Sequence, residues 1–227
     1  RNDRNVWIEF QKEFILKKNM KKAEAKIAAD SKYWLWINGE MVVFEGGLKR
    51  GPNRNDTYYD VVDLASYLKK GKNEIKVLLW YFGKSGFSHN SSGHSGIIVE
   101  APAIGLFSDK TWLSQRLDCY QMADNPKPNY RLSEANIRYD ARLDGQNRLK
   151  PSLEIGKWGS QPWGNLVVRP IPQWKDYGVK DAEWTENKDA DGNITLSARL
   201  PYNMQMTPVI ELTAAEEEDF DFTEETP

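Results

Sequence analysis

The chain has 227 residues, 40% of them hydrophobic and 12% aromatic, which suits one large globular domain, or one domain and the beginning of another. Its net charge of −2 is unevenly spread. Seven of its 33 carboxylates lie in residues 216–227, which leaves 26 acidic and 31 basic residues, a charge of +5, over residues 1–215. This mild charge, without a stripe of Lys and Arg, argues against nucleic acid as a partner. No apolar run reaches the roughly 18 residues that span a membrane, and the single cysteine, Cys119, excludes an internal disulfide.

Short alternating runs of apolar and polar residues open the chain and predict β-strands over 6–16 and 23–27. Asn38-Gly39 then separates two aromatic and apolar runs, 33–37 and 40–44. Asn-Gly favours a two-residue hairpin turn, because both residues tolerate positive φ. Since Trp34 and Trp36 share one strand face and Leu35 and Ile37 the other, we predict an inner strand covered on both sides.

A second group of elements follows a loop at 45–56 that is rich in Gly, Pro and Asn. The pattern predicts a strand over 57–64 and a short helix over 64–70, with Asp63 as its N-cap and Gly71 ending it in the left-handed conformation. A strongly apolar strand is predicted over 73–82, followed by a Gly, Ser and His loop over 83–96.

The rest of the chain is punctuated by prolines and turn residues. The predicted strands are 97–104, 111–117, 165–171, 193–200 and 209–213. Many short strands, long loops and little helix indicate a mainly β fold, an antiparallel β-sandwich.

Several segments, in order over residues 6–178, resemble the N-terminal β-sandwich of bacterial α-L-rhamnosidases. They are Ile37-Asn38-Gly39-Glu40, Tyr59-Asp60-Val61-Val62-Asp63-Leu64, Leu68-Lys69-Lys70-Gly71-Lys72-Asn73-Glu74-Ile75, Asp109-Lys110-Thr111-Trp112 and Tyr139-Asp140-Ala141-Arg142. The Tyr-Asp-Ala-Arg segment is the one most specific to that family. A Gly-Glu pair that often precedes it in the family is absent here, where the chain reads Glu134-Ala135-Asn136-Ile137-Arg138.

The resemblance implies a jelly-roll-like, galactose-binding-type sandwich as an accessory domain over residues 1–200. Residues 201–227 are then a linker, the start of a following domain and an acidic tail. In that family, catalysis belongs to a later helical (α/α)₆ barrel that hydrolyses terminal rhamnosyl bonds. No helical pattern here is long enough for such a barrel, so no catalytic residue is carried over. The resemblance further implies a periplasmic or secreted parent glycoside hydrolase, whose following domains are this segment's partners.

Glycoside hydrolysis needs two carboxylates on opposite sides of the scissile bond. The candidate pairs in sequence are Asp60 with Asp63, and Asp140 with Asp144. A helix cap explains Asp63 and a strand-end turn explains Asp60, so we expect structural roles and no catalysis.

The two histidines, His89 and His94, share one loop without nearby Cys or carboxylate ligands. Metal sites usually add such ligands at characteristic spacing, so the sequence favours loop positioning or contact with an adjoining domain over a metal site. The acidic tail offers carboxylates for calcium but no defined ligand geometry. We therefore expect no cofactor, with a structural calcium ion not indicated.

Two loops combine aromatic side chains with planar polar groups, the combination that suits sugar rings and their hydroxyls. The first loop supplies Arg50, Asn53 and Asn55 beside Tyr58, and the second supplies Trp158 and Trp163. We predict these six residues as the carbohydrate-binding candidates. For the first loop, the alternative is a solvated linker or a surface that contacts a neighbouring domain. For the second loop, packing, as over an apolar patch of a neighbouring domain, is the favoured alternative.

Three functions stay open from the sequence. The first is a non-catalytic accessory β-sandwich of an α-L-rhamnosidase-like glycoside hydrolase. The second is an autonomous carbohydrate-binding module, and the third is a protein-interaction sandwich unrelated to sugars.

Overall fold

The computed structural model describes residues 4–47, 51–87, 89–123, 132–146, 148–181 and 183–199. Fifteen strands are described: β1 Val6–Leu16, β2 Glu24–Asp30, β3 Lys32–Ile37, β4 Glu40–Gly47, β5 Thr57–Asp63, β6 Gly71–Tyr81, β7 Gly96–Ala101, β8 Leu106–Phe107, β9 Leu113–Arg116, β10 Tyr120–Met122, β11 Ile137–Tyr139, β12 Lys150–Pro151, β13 Leu166–Val168, β14 Trp184–Lys188 and β15 Ile194–Ala198. Helix in this part of the chain is limited to 3₁₀ turns at Ala65–Tyr67, Pro102–Ile104 and Ala141–Leu143. None of its helices is long and apolar enough to cross a bilayer.

Two sheets form the sandwich. The six-stranded sheet has the order β12-β9-β1-β6-β3-β4 and is antiparallel throughout. The five-stranded sheet has the order β13-β5-β2-β7-β8, in which β13 joins β5 in parallel while the other pairs are antiparallel. The predicted mainly β, antiparallel sandwich is confirmed, and the jelly-roll description remains a prediction.

The core lies between these sheets, because alternate side chains of each strand point inward. Ile75, Val77 and Leu79 of β6 and Ile27 of β2 are fully buried in one apolar cluster. Small residues on the facing strand, among them Ala25, are buried in the same cluster. Burial of each large aliphatic side chain contributes about 1.5–3 kcal/mol.

The predicted hairpin joins β3 to β4, with φ of 53° at Asn38 and 84° at Gly39. The Asn38 side chain also ties the turn to the next element. Its Nδ2 donates to the Tyr67 carbonyl at 2.8 Å, and its Oδ1 accepts from the Glu74 amide at 3.0 Å. Asn is therefore required here both for its backbone conformation and for its amide.

The helix predicted over 64–70 is wrong, because the structure has only the 3₁₀ turn Ala65–Tyr67 there. Asp63 does accept from the Ala65 amide at 3.1 Å. The amide of Lys69, however, donates to the Asn73 side chain at 2.9 Å, so it takes no part in a helical hydrogen bond. Gly71 has the expected left-handed φ of 96°, but it begins β6.

The outer face of the six-stranded sheet carries an aromatic cluster. Trp7 stacks on Trp80, Trp34 and Tyr120, with ring centroids 4.8, 5.4 and 4.4 Å apart. Tyr120 belongs to β10, which pairs with β11 in a separate two-stranded ribbon. The ribbon therefore covers part of the tryptophan face, and β3 is an inner strand of its sheet.

The chain divides into two compact units, residues 1–175 and 176–227. The sandwich lies in the first unit, and the domain boundary at residue 200 stays a prediction. In the second unit, β14 and β15 pair across a turn at Asp191-Gly192. The strand predicted over 209–213 and the acidic tail lie outside the described residues.

Candidate functional site

The two loops predicted to bind sugar lie side by side at one edge of the five-stranded sheet. Thr57 donates from its amide to the Asn165 carbonyl at 2.9 Å and from its hydroxyl to the Trp163 carbonyl at 2.7 Å. The Asn165 amide donates in turn to Asp56 Oδ1 at 3.2 Å. Residues 51–56 and 156–165 are thereby joined, although about a hundred residues separate them in sequence.

Trp163 is 5% exposed, so its ring packs in the protein interior and offers no open face. It lies beside Gly96 at the start of β7, where an added Cβ would be 3.9 Å from the indole. The next residue, Gly164, has φ of 64°, and a Cβ there would overlap the Asn55 carbonyl oxygen. Trp163 therefore anchors the second loop against the first.

The remaining predicted residues occupy different environments. Asn53 is exposed, and its side chain donates to Asp56 at 2.6 Å and accepts from the Asn55 amide at 2.9 Å, so it shapes its own turn. Asn55 is exposed, and Tyr58 and Trp158 are half-buried. Arg50 lies outside the described residues. Sugar binding by these residues stays a prediction.

The structure brings two further residues to Trp158. The Tyr59 ring meets the Trp158 ring edge-on, with centroids 5.1 Å apart and planes at 69°. Lys26 of β2 places its Nζ 5.9 Å from the Tyr59 centroid and 5.7 Å from that of Trp158, within cation–π range. Tyr59, Trp158 and Lys26 are called the loop patch below.

Sequence reasoning chose Tyr58, whereas strand alternation puts Tyr59 on the face of Lys26 and Tyr58 on the face of Asp60. The β2–β5 register pairs Lys26 with Val61, which lies two residues from Tyr59. An inward Asp60 is the signal that would have added Tyr59 to the candidates, because alternation then turns Tyr59 outward.

Asp60 is buried and joins the two sheets. Its Oδ2 accepts from the Tyr33 hydroxyl at 2.8 Å and the Gly47 amide at 2.9 Å, and its Oδ1 accepts from Arg169 Nε at 2.5 Å. Burial, and then the neighbouring Asp60 charge, raises the pKa of Tyr33 well above its usual value. Every one of these groups is enclosed, so the network supports the fold.

The second predicted carboxylate, Asp63, accepts from the backbone amides of Ala23 and Ala65, and the Ala23 bond is the main cause of its lowered pKa. It shares no contact with Asp60. The pair therefore has no shared site for acid–base chemistry.

Asp140 and Asp144 are engaged separately in the turn after β11. Asp140 forms an ion pair with Arg142 at 2.7 Å, and hydrogen bonds from that side chain lower the pKa of Asp140 to about 2. Asp144 accepts a 2.7 Å hydrogen bond from the Tyr139 hydroxyl, which raises the pKa of Tyr139 to about 12. Both carboxylates thus organise the Tyr-Asp-Ala-Arg segment.

His89 is fully buried and holds the loop over 83–95 to the end of β2. Its Nε2 lies 3.0 Å from Asp30 Oδ1 and 3.2 Å from Ser31 Oγ. A Ser-His-Asp catalytic triad needs the carboxylate on one ring nitrogen and the hydroxyl on the other. Here both contact the same nitrogen in a closed interior, so the cluster is a structural anchor.

Asp30 completes this anchor from its other oxygen. Oδ2 accepts from the amide and the hydroxyl of Ser92, both at 2.6 Å. Burial alone raises the pKa of Asp30, but the hydrogen bond and charge of His89 and the bonds from Ser92 outweigh it and leave the pKa lowered. His94, in the same loop, is exposed.

A groove with a volume of about 380 Å³ lies on the outer face of the six-stranded sheet, beside the β10–β11 ribbon. Its walls are Trp36 and Gly39 of the Asn-Gly hairpin, strand residues Glu9, Glu74, Lys76, Leu78 and Gln115, and Leu117, Tyr120, Tyr139, Asp144 and Gly145 around the ribbon. Sequence reasoning missed this site, because its walls come from five separate segments.

Within the described residues, no cluster of three or more His, Cys, Asp or Glu could hold a metal ion.

No protein-family model and no curated protein matches the chain. Among solved structures, a GH78-family rhamnosidase of Bacillus sp. GL1 matches 82% of this chain with 29% identity and a TM-score of 0.62. An α-L-rhamnosidase from Aspergillus terreus matches 86% with 18% identity and a TM-score of 0.54, which supports the fold alone. The chain spans 19% of the Bacillus enzyme and 24% of the Aspergillus enzyme. The resemblance predicted from the ordered motifs is confirmed: the chain is a β-sandwich similar to part of an α-L-rhamnosidase.

Proposed function

We propose that this chain is a non-catalytic accessory β-sandwich of an α-L-rhamnosidase-like glycoside hydrolase. The likeness to the Bacillus rhamnosidase carries the proposal, since it covers 82% of this chain but 19% of that enzyme. A segment of that size is one module of a larger protein. Hydrolysis of terminal rhamnosyl bonds is accordingly assigned to the parent protein, outside this segment.

The state of the candidate carboxylates supports the non-catalytic role. A glycosidase acid and its partner must face a shared space that admits the glycosidic bond. Asp60 is enclosed by Tyr33 and Arg169, and Asp140 is paired with Arg142. Both carboxylates are thus already bound by other side chains of the fold.

Exposed apolar side chains support an accessory role toward the following domains of the parent chain. Leu153, Ile155 and Ile171 of the first compact unit are 84, 59 and 59% exposed. We infer that these side chains form one apolar contact surface, since a contiguous apolar patch indicates contact with another protein surface. In the proposal, residues 153–171 pack against the next domain and orient it.

The test uses the parent reading frame, expressed with and without residues 1–175. The proposal expects the deletion to lower the thermal midpoint and soluble yield of the catalytic region. A matched double variant, Leu153→Ser with Ile155→Ser, should destabilise the parent protein while it leaves the midpoint of the isolated chain unchanged. A deletion that affects neither stability nor activity contradicts the accessory role.

The loop patch favours a second candidate, an autonomous carbohydrate-binding module. Trp158 is half-buried and lies edge-on to Tyr59, and the loop that carries the exposed Asn55 is joined to the loop that carries Trp158. Aromatic faces beside planar polar groups suit sugar rings. Titration with rhamnosides and pectic fragments should change the tryptophan fluorescence of the wild type, and the change should be smaller in Trp158→Ala. The absence of any response to these glycans leaves the accessory role alone.

A further inference from the structure

We propose that the groove beside the β10–β11 ribbon binds an uncharged saccharide unit, at a site separate from the loop patch. Its volume of about 380 Å³ falls in the range of small-molecule sites, about 300–1,000 Å³, and accommodates a mono- or disaccharide. The groove lies on the outer face of the six-stranded sheet, whereas Lys26 and Tyr59 of the loop patch belong to the five-stranded sheet. The two sites therefore do not share walls.

Aromatic side chains line the groove from two elements. Trp36 comes from β3, and Tyr120 and Tyr139 come from the facing ribbon, with their rings 5.0 Å apart. The Tyr120 ring is held from behind, since it stacks on the buried Trp7 at 4.4 Å. A preorganised aromatic wall suits the apolar face of a sugar ring, because little side-chain freedom is lost on binding.

The groove also holds hydrogen-bonding groups that the described part of the protein leaves unused. Within the described residues, the Glu74 carboxylate and the Trp36 indole N–H have no hydrogen-bond partner. Asp144 uses Oδ2 for the Tyr139 hydroxyl, which leaves Oδ1 as an acceptor. Glu9, in contrast, is held by Gln115 at 2.9 Å and Lys76 at 3.4 Å. Open acceptors beside aromatic rings match the hydroxyl donors of a sugar.

Charge restricts the class of sugar. Glu9, Glu74 and Asp144 contribute −3 and Lys76 contributes +1, so the walls carry a net charge of −2. Like charges in a partly enclosed groove repel an anionic ligand. A uronate is therefore disfavoured against the neutral sugar of the same ring stereochemistry. This inference takes its ligand class, carbohydrate, from the second candidate function, but it assigns sugar binding to a different surface.

The test uses the full chain labelled with ¹⁵N at tryptophan, whose nine indole N–H signals report each ring separately. Trp36→Phe assigns the Trp36 signal. The probes are L-rhamnose, D-galactose and D-galacturonate, each titrated to about 50 mM, so that millimolar affinities are detected. D-galactose and D-galacturonate differ at C6 alone, which isolates the effect of charge.

We expect the Trp36 signal to shift with at least one neutral sugar, and D-galacturonate to bind about tenfold or more weakly than D-galactose. Glu74→Ala should weaken neutral-sugar binding about fivefold or more, because it removes a charged hydrogen-bond acceptor. Glu13→Ala is the matched control. Glu13 lies opposite Glu74 in the β1–β6 register but outside the groove walls, so its removal should leave binding unchanged.

Three results overturn the inference. One is a silent Trp36 signal with all three sugars, a result that leaves the accessory role standing, because that role is tested on the parent protein. Another is binding that Trp158→Ala abolishes and Glu74→Ala does not, which moves the sugar to the loop patch. The last is equal binding of D-galactose and D-galacturonate, which contradicts the role of the groove charge.

Discussion

The Tyr33 hydroxyl of β3 donates a 2.8 Å hydrogen bond to Asp60 of β5, and this bond links the two sheets of the sandwich through their shared interior. The contact also explains the glycines that end β4. A Cβ on Gly46 would lie 2.5 Å from the Tyr33 ring, and one on Gly47 would lie 2.7 Å from the Ser31 carbonyl oxygen. Gly47 in turn donates its amide to Asp60.

Removal of Asp60 should be among the most damaging substitutions in the sandwich. Asp60→Ala leaves Arg169 as a buried charge without its carboxylate, so we expect a loss of about 3–5 kcal/mol in the free energy of unfolding. Tyr33→Phe removes one hydroxyl and should cost about 1–2 kcal/mol. Urea denaturation measures both.

Val61→Ala serves as the control on the same strand, because Val61 is 42% exposed and should change stability by about 0.5 kcal/mol or less. If Asp60→Ala behaved like Val61→Ala, the proposed role of the network would be wrong.

Loss of the Asp30 anchor should release the loop over 83–95. Asp30→Ala and His89→Ala each remove hydrogen bonds that hold this loop to β2, so both should expose Lys84 to trypsin. Limited proteolysis under conditions where the sandwich stays folded, with mass spectrometry of the fragments, detects cleavage after Lys84. His94→Ala, in the same loop but exposed, should resemble the wild type. Resistance of Asp30→Ala to cleavage contradicts the anchor.

Because of Asp30, the stability of the folded protein should also depend on pH in the acid range. Its pKa is lowered in the folded state, so its contribution is complete above the unfolded value of 3.8 and is lost as the pH falls through the lower folded value. The difference in thermal midpoint between the wild type and Asp30→Ala should therefore shrink as the pH falls below 3.8. A difference that stays constant down to pH values far below 3.8 would argue against this assignment.

The two tryptophans of the second loop should differ in their effect on stability. Trp163 is 5% exposed, so Trp163→Ala should leave a cavity and cost about 3–5 kcal/mol. Trp158 is half-buried, and Trp158→Ala should cost about 1 kcal/mol. Urea denaturation of both variants compares them directly. The opposite order of the two costs would show that Trp158, and not Trp163, anchors the loop.

Tyr139 should titrate unusually late for an exposed tyrosine. The hydrogen bond from its hydroxyl to Asp144 raises its pKa from 10.0 to about 12, and the bond is lost as the pH rises through that value. Ultraviolet difference titration of the wild type against Tyr139→Phe isolates this phenol. In Asp144→Asn the pKa should fall back toward 10.0. An unchanged titration in Asp144→Asn would exclude the hydrogen bond as the cause.

Local signals in the sequence predicted the strands and the hairpin well. The alternation over residues 6–16 matches β1, Val6–Leu16, and Asn38-Gly39 forms the predicted turn. Both features depend on residues that are close together in the sequence, so they can be predicted from one sequence. The helix over 64–70 failed because Asn73, outside the predicted helix, takes the Lys69 amide.

The contacts that define the candidate sites are non-local, and no local pattern encodes them. Ser31 and His89 are 58 residues apart in sequence, and Arg169 and Asp60 are 109 residues apart. Trp163 looked like a sugar platform because of its flanking glycine, but the fold buries it. Its burial follows from the pairing of β13 with β5, which sequence spacing alone does not reveal.

The non-catalytic role can be measured by incubating the purified chain alone with an aryl α-L-rhamnoside and following release of the aryl alcohol. We expect no release above the uncatalysed rate, both for the wild type and for Asp144→Asn. Release that remains with the chain through purification and disappears on substitution of one carboxylate would contradict it.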